Sequence, residues 1–93
     1  MVTAIVLIQC TKGMVNRAAQ ELAEVDGISE VYSVAGQVDL VAIIRVKNNE
    51  DLAEVVTGKL QSTEGVDRTE TLIAFQVFSK HDLERMFSIG MEP

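Results

Sequence analysis

The chain has no tryptophan, one cysteine and one histidine in 93 residues. A lone Cys10 excludes an intrachain disulfide and any multi-cysteine metal site. A single His81, with no acid–base cluster at matched positions, argues against an enzyme and names no catalytic residue. Basic residues are also scarce, 8 against 14 acidic ones, for a formal charge of -6. Lys12, Arg17, Arg45, Lys47, Lys59, Arg68, Lys80 and Arg85 are scattered, so direct nucleic-acid binding by this chain is not expected. The apolar run Ala4 to Ile8 is too short for a signal peptide or a membrane span, and no basic region precedes it. A soluble, cytoplasmic protein is the expectation. No metal or cofactor is implied.

What is present is aliphatic. Hydrophobic residues make up 47% of the chain, so one small core must be built from Val, Ile, Leu and Ala. The chain reads as two similar halves. Gly27-Ile28 and Gly65-Val66 stand at matching places, and the same offset pairs Ile5 with Ile43, Met14 with Leu52, and Leu22 with Leu60. In the first half the β-branched run 2–9 predicts a strand. Met14, Val15, Ala18, Ala19, Leu22 and Val25 recur at helical spacing, which predicts a helix over 14–25, stopped by Asp26-Gly27. A second strand is expected over 29–35.

The second half repeats the order. A strand is predicted over 38–46. A helix follows, capped by Asn48 or Asn49, with Glu50 and Asp51 suiting its positive end and Leu52, Val55, Val56, Lys59 and Leu60 as its stripe. A last strand is expected over 69–78. Ser79 to Asp82 then resembles a capping box for a short helix carrying Leu83, Met86 and Phe87. Residues 1–78 form one domain in this reading, and 79–93 form a C-terminal helix and tail. The order βαββαβ predicts an α+β fold of the ferredoxin-like type, with strand order 4-1-3-2 and both helices on one face.

Successive strand residues point to opposite faces. Leu40, Ala42, Ile44 and Val46 therefore share one side of the third strand, and Val41, Ile43 and Arg45 the other. The first strand likewise opposes Ala4, Val6 and Ile8 to Ile5 and Leu7. Two helices cover only one face, and a soluble monomer rarely leaves a large apolar patch open. The expected answer is a homodimer packed sheet to sheet as a dimeric α+β barrel, with Ile5, Leu7, Val41, Ile43 and Arg45 at the interface. A terminal helix folding back over the second face is the alternative.

Three motifs in order, Gly27-Ile28-x-x-Val31, Val34-x-Gly36-x-x-Asp39-Leu40 and Gly65-Val66-x-x-Thr69-x-Thr71, resemble the effector-binding domain, or RAM domain, of the Lrp/AsnC transcriptional regulators. The resemblance runs from the first strand to Phe78. It implies the same fold, dimers that assemble into rings such as octamers, and an amino acid effector held between dimers near the Gly-x-x-Asp loop. The effector residues it implies are Ala35, Gly36, Gln37, Val38 and Asp39, with Thr69 and Thr71. Glycine lets a backbone approach a ligand closely, and a carboxylate accepts from an α-ammonium group. Gly and Asp are equally ordinary turn residues, and Thr equally an ordinary strand residue.

This chain opens directly at its first strand, with no helix-turn-helix before it. The expectation is a stand-alone sensing domain that modulates transcription indirectly, through mixed assembly with a full-length Lrp/AsnC regulator. Two other readings stay open. One is a small dimeric barrel enzyme such as a monooxygenase, and the other is a ligand-free assembly partner. Cys10 is expected to be a partly buried thiol, and His81 a solvent-facing helix residue.

Overall fold

Alternation of apolar side chains on two central strands organises the fold, as seen in a computed structural model that describes residues 1–78 and Lys80. β1 (Val2–Cys10) and β3 (Leu40–Val46) pair antiparallel in the register Ala4↔Ile44, Val6↔Ala42 and Ile8↔Leu40. Those six side chains are fully buried on one face. β2 (Ile28–Ser33) flanks β3 and β4 (Val66–Ile73) flanks β1. The four-stranded order is β2-β3-β1-β4, all antiparallel, as the sequence pattern predicts.

Both helices cover that buried face. α1 (Val15–Ala23) sends Ala18 and Leu22, four residues apart, into the core. α2 (Asn49–Ala53) starts where the Asn48 side chain accepts the Asp51 backbone N–H at 2.8 Å, with Glu50 and Asp51 in the first turn. It continues as a π-helix over Glu54–Leu60. Hydrogen bonds there reach back five residues, as from Gln61 N to Val56 O at 2.9 Å. The wider turn brings Leu60 into the core and leaves Lys59 exposed, so Lys59 is not part of the apolar stripe.

β4 differs most from the expected span. It begins at Val66, against Cys10, and ends at Ile73, against Ala4. One further bond, Ala74 N to Thr3 O at 2.9 Å, closes the ladder, because β1 itself begins at Val2. Phe75, Val77 and Phe78 lie beyond it and are exposed, Phe75 at 99%. β2 and β3 are each shorter than expected at the hairpin end, which leaves a loop over 34–39. The expected C-terminal helix and its capping box fall on Ser79 and residues 81–93, outside the described residues. Among the described residues no helix is long and apolar enough to cross a membrane.

Candidate functional site

The loop 34–39 is tied down at four points. Val34 N donates to Asp39 O at 3.0 Å, closing the hairpin, and Asp39 N donates to Ile8 O at 2.9 Å. The Cys10 backbone N–H donates to Asp39 Oδ2 at 2.8 Å, and Gln9 Nε2 donates to Gln37 O at 3.0 Å. The loop therefore rides on the C-terminal end of β1. Asp39 is half-buried, and one carboxylate oxygen already serves the β1 backbone. Burial, and then the negative charge of Asp39, push the Cys10 thiol pKa up, which disfavours a thiolate.

The outer side of the loop is open. Ala35, Gly36 and Gln37 are exposed, and a Cβ added at Gly36 would meet nothing within 4 Å. Next to it lies a cavity of about 240 Å³ bordered by Leu7, Gln9, Val38, Arg68, Thr69 and Glu70. Of the residues singled out in the sequence, Val38 and Thr69 from the effector set and Leu7 from the interface set border it. The Thr69 hydroxyl accepts from Gln61 Nε2 at 3.4 Å, on the helix side of β4. Thr71 borders a different space, an apolar groove of about 380 Å³ between α2 and β4 shared with Leu52, Val56 and Ile73. Gln9, Arg68 and Glu70 were not legible as site residues. They become neighbours through the β1–β4 register, Gln9↔Arg68 and Leu7↔Glu70. Among the described residues no cluster of three or more His, Cys, Asp or Glu is placed to hold a metal ion.

Among the described residues no element covers the sheet face away from the helices. Ile5 stands between Ile43 and Leu72 in register, and Leu7 opposite Val41. At its edge the Tyr32 hydroxyl donates to Glu30 Oε2, and Arg45 Nη1 lies 3.4 Å from Glu30 Oε1. The Tyr32 hydrogen bond, then that of Arg45, holds the Glu30 carboxyl below its ordinary range. The same bond and the Glu30 charge hold the Tyr32 phenol above its own. The signs follow from these directions. The contact is lost as pH falls through the lowered Glu30 pKa, and again as pH rises through the raised Tyr32 pKa. Tyr32 is the single tyrosine, so tyrosinate absorbance reads it alone. Glu30→Gln is expected to bring its titration midpoint down toward the ordinary tyrosine value. An unchanged midpoint would remove Glu30 as the cause.

Comparison with known proteins matches residues 3–83 to the Lrp/AsnC ligand binding domain. A Pyrococcus horikoshii protein, PH1916, described as an uncharacterized HTH-type transcriptional regulator, is 36% identical over 76 residues, covering 78% of this chain and 51% of that one. The chain thus spans about half the length of the curated relatives it matches. Among solved structures, TTHA0845 from Thermus thermophilus is similar at 46% identity and a TM-score of 0.80, covering 86% of this chain and all (100%) of that one. The feast or famine regulatory protein Rv3291c of M. tuberculosis, solved in complex with L-methionine, is similar at 26% identity and a TM-score of 0.71, covering 86% of this chain and 54% of that one.

Proposed function

The chain belongs to the Lrp/AsnC ligand-binding domain family, and from that premise we propose that it senses an amino acid and couples that binding to subunit assembly in transcription control. The family is a ligand-binding domain of transcription regulators and not an enzyme family. One observation carries the reading. The loop 34–39 is held to β1 by backbone and side-chain bonds, yet its outer side is open at Gly36 and beside the Val38 cavity. A fixed loop with accessible backbone groups binds a small polar ligand at low ordering cost.

In this proposal the effector rests against Ala35, Gly36, Gln37 and Val38, with Asp39 fixing the loop and Thr69 at the far wall. Thr71, on the helix side of β4, acts only through the strand. Subunits pair through the face bearing Ile5, Leu7, Val41, Ile43 and Arg45, and assembly of dimers into a ring completes the half-site. The domain works in the cytoplasm in this proposal, and its ligand-dependent assembly is what reaches transcription.

A calorimetric screen of the proteinogenic L-amino acids, L-methionine among them, tests this on the intact oligomer. Saturable binding of at least one is expected, and binding of none removes the reading. Asp39 supplies an internal control. Asp39→Ala leaves the Cys10 N–H without its partner and is expected to cost about 1–3 kcal/mol of stability, whereas Asp39→Asn keeps an acceptor and costs less. Equal losses in both variants, measured by thermal melts, would show that the amide cannot replace the carboxylate.

A further inference from the structure

The two helices leave part of their own side of the sheet bare. α1 packs over β2 and β3, and α2 over β3 and β1. Between α2 and β4 runs the apolar groove of about 380 Å³, with Leu52, Ala53, Val56 and Thr57 on one wall and Thr71 and Ile73 on the other. Ile73 is 56% exposed there. The groove follows the helix from Asn49 to Thr57, a length on the order of 12 Å at the helical rise per residue.

The chain itself carries a segment that fits. It leaves the sheet at Ala74, next to Ile73 of the groove wall, and Lys80 is helical again. The six residues between reach about 20 Å, enough to turn back over the free edge of β4. Ser79 to Asp82 resembles a capping box, and Gly90 is a ready stop. Between them Leu83, Met86 and Phe87 recur at helical spacing and make one apolar stripe. A helix over 80–89 is about 15 Å long, which matches the groove. Lys80 flanks that stripe, and Glu50 and Glu54 stand exposed along α2, so the charges are complementary as well.

We propose that residues 80–89 pack as a third helix into the α2–β4 groove of their own subunit, with Leu83, Met86 and Phe87 against Leu52, Val56 and Ile73. This docking covers the apolar surface that α1 and α2 leave on the helix side of the sheet. The face bearing Ile5, Leu7, Val41 and Ile43 then remains for a second copy, so the tail directs association to one side of the sheet. Neither an effector nor a DNA-binding partner is needed for it.

The chain has no tryptophan, so Phe87→Trp makes a single fluorescent reporter. Its emission in the intact chain is expected to be that of a shielded indole, at shorter wavelength than in urea-unfolded protein. Ala53→Glu puts a charge on the exposed α2 wall of the groove and keeps a good helix former there. It should move the emission toward that of the unfolded chain, while Ile5→Glu, on the opposite face, should leave it unchanged. Trypsin gives a second readout that needs no reporter. Cleavage after Arg85, followed by mass, should be about tenfold faster in Ala53→Glu than in wild type, because proteolysis follows the population of the open segment. Circular dichroism checks that each variant folds. Where the indole is too large for the groove, the trypsin comparison decides alone. Equal cleavage rates at Arg85 in wild type and Ala53→Glu overturn the docking. Shielded emission that responds to Ile5→Glu and not to Ala53→Glu places the tail on the opposite face and also overturns it. Shielding that responds to Ala53→Glu but is lost on dilution assigns the groove to the tail of a second copy, and overturns docking within the subunit.

Discussion

Ile5→Glu is expected to leave the subunit folded and to abolish the dimer. Ile5 is half-buried on the face away from the helices, opposite Ile43 on one side and Leu72 on the other. Its neighbours in sequence, Ala4 and Val6, hold the helix-facing core and are untouched. A carboxylate on an open sheet face is solvated in the monomer. In a sheet-to-sheet dimer it would be buried, once in each subunit, with an effective penalty of several kcal/mol per unpaired ion. Since about 1.4 kcal/mol is tenfold in affinity, the dimer dissociation constant should rise by about 10³ or more. Sedimentation velocity across a concentration series reads this directly, with circular dichroism as the control for folding. A dimeric Ile5→Glu protein would place the interface elsewhere. A monomeric wild type would instead favour a single subunit whose second face is covered by its own chain.

The same face shows what a single sequence reveals. Period-two alternation separates Leu40, Ala42, Ile44 and Val46 from Val41, Ile43 and Arg45, and the structure buries the first set under the helices. That property is local to the strand, so it is legible residue by residue. The end of β4 is not local. Ala74 to Phe78 has the composition of a strand, but a strand needs a neighbour, and β1 begins at Val2. The π-helical turn over Glu54–Leu60 also escapes a pattern read at 3.6 residues per turn.

The candidate site divides in the same way. The 34–39 loop stands out by its Gly and Asp, whereas the contact of Asp39 with the Cys10 N–H depends on how the hairpin folds over β1. Gln9, Arg68 and Glu70 carry no motif of their own. Only the register of β1 against β4 brings the first of them beside the other two. Thr69 and Thr71 illustrate the converse. Their shared face is evident from spacing, but which layer that face meets is settled by the packing of the helices on the sheet.

The weak repeat in the sequence has its physical counterpart at Gly27 and Gly65, where the second large effect is expected. Each follows a helix, with φ of +97° and +95° respectively, and each lies against the other helical segment. A Cβ at Gly27 would stand 2.9 Å from Val55 Cγ2 and 3.1 Å from Val46 Cγ1. A Cβ at Gly65 would stand 2.8 Å from Met14 Cβ and 3.4 Å from Ala18 Cβ. The two halves thus lock reciprocally. Alanine at either position carries a left-handed backbone cost of about 1–2 kcal/mol and an overpacking cost of about 1–3 kcal/mol. The sum is a large fraction of the roughly 5–15 kcal/mol that stabilises a typical domain. Gly65→Ala should be the worse of the two. Met14 Cβ is fixed by its own backbone, while Val55 Cγ2 can swing through a rotamer change. Urea melts followed by circular dichroism measure both, since the chain has no tryptophan to report by fluorescence. Val55→Ala combined with Gly27→Ala should cost less than the two single losses added, because it removes the 2.9 Å contact and leaves the backbone strain and the 3.1 Å approach to Val46 Cγ1. Additive losses in that cycle would mean that the approach of Val55 is not what fixes a glycine there, and would leave its φ and the packing of Val46 as the reasons.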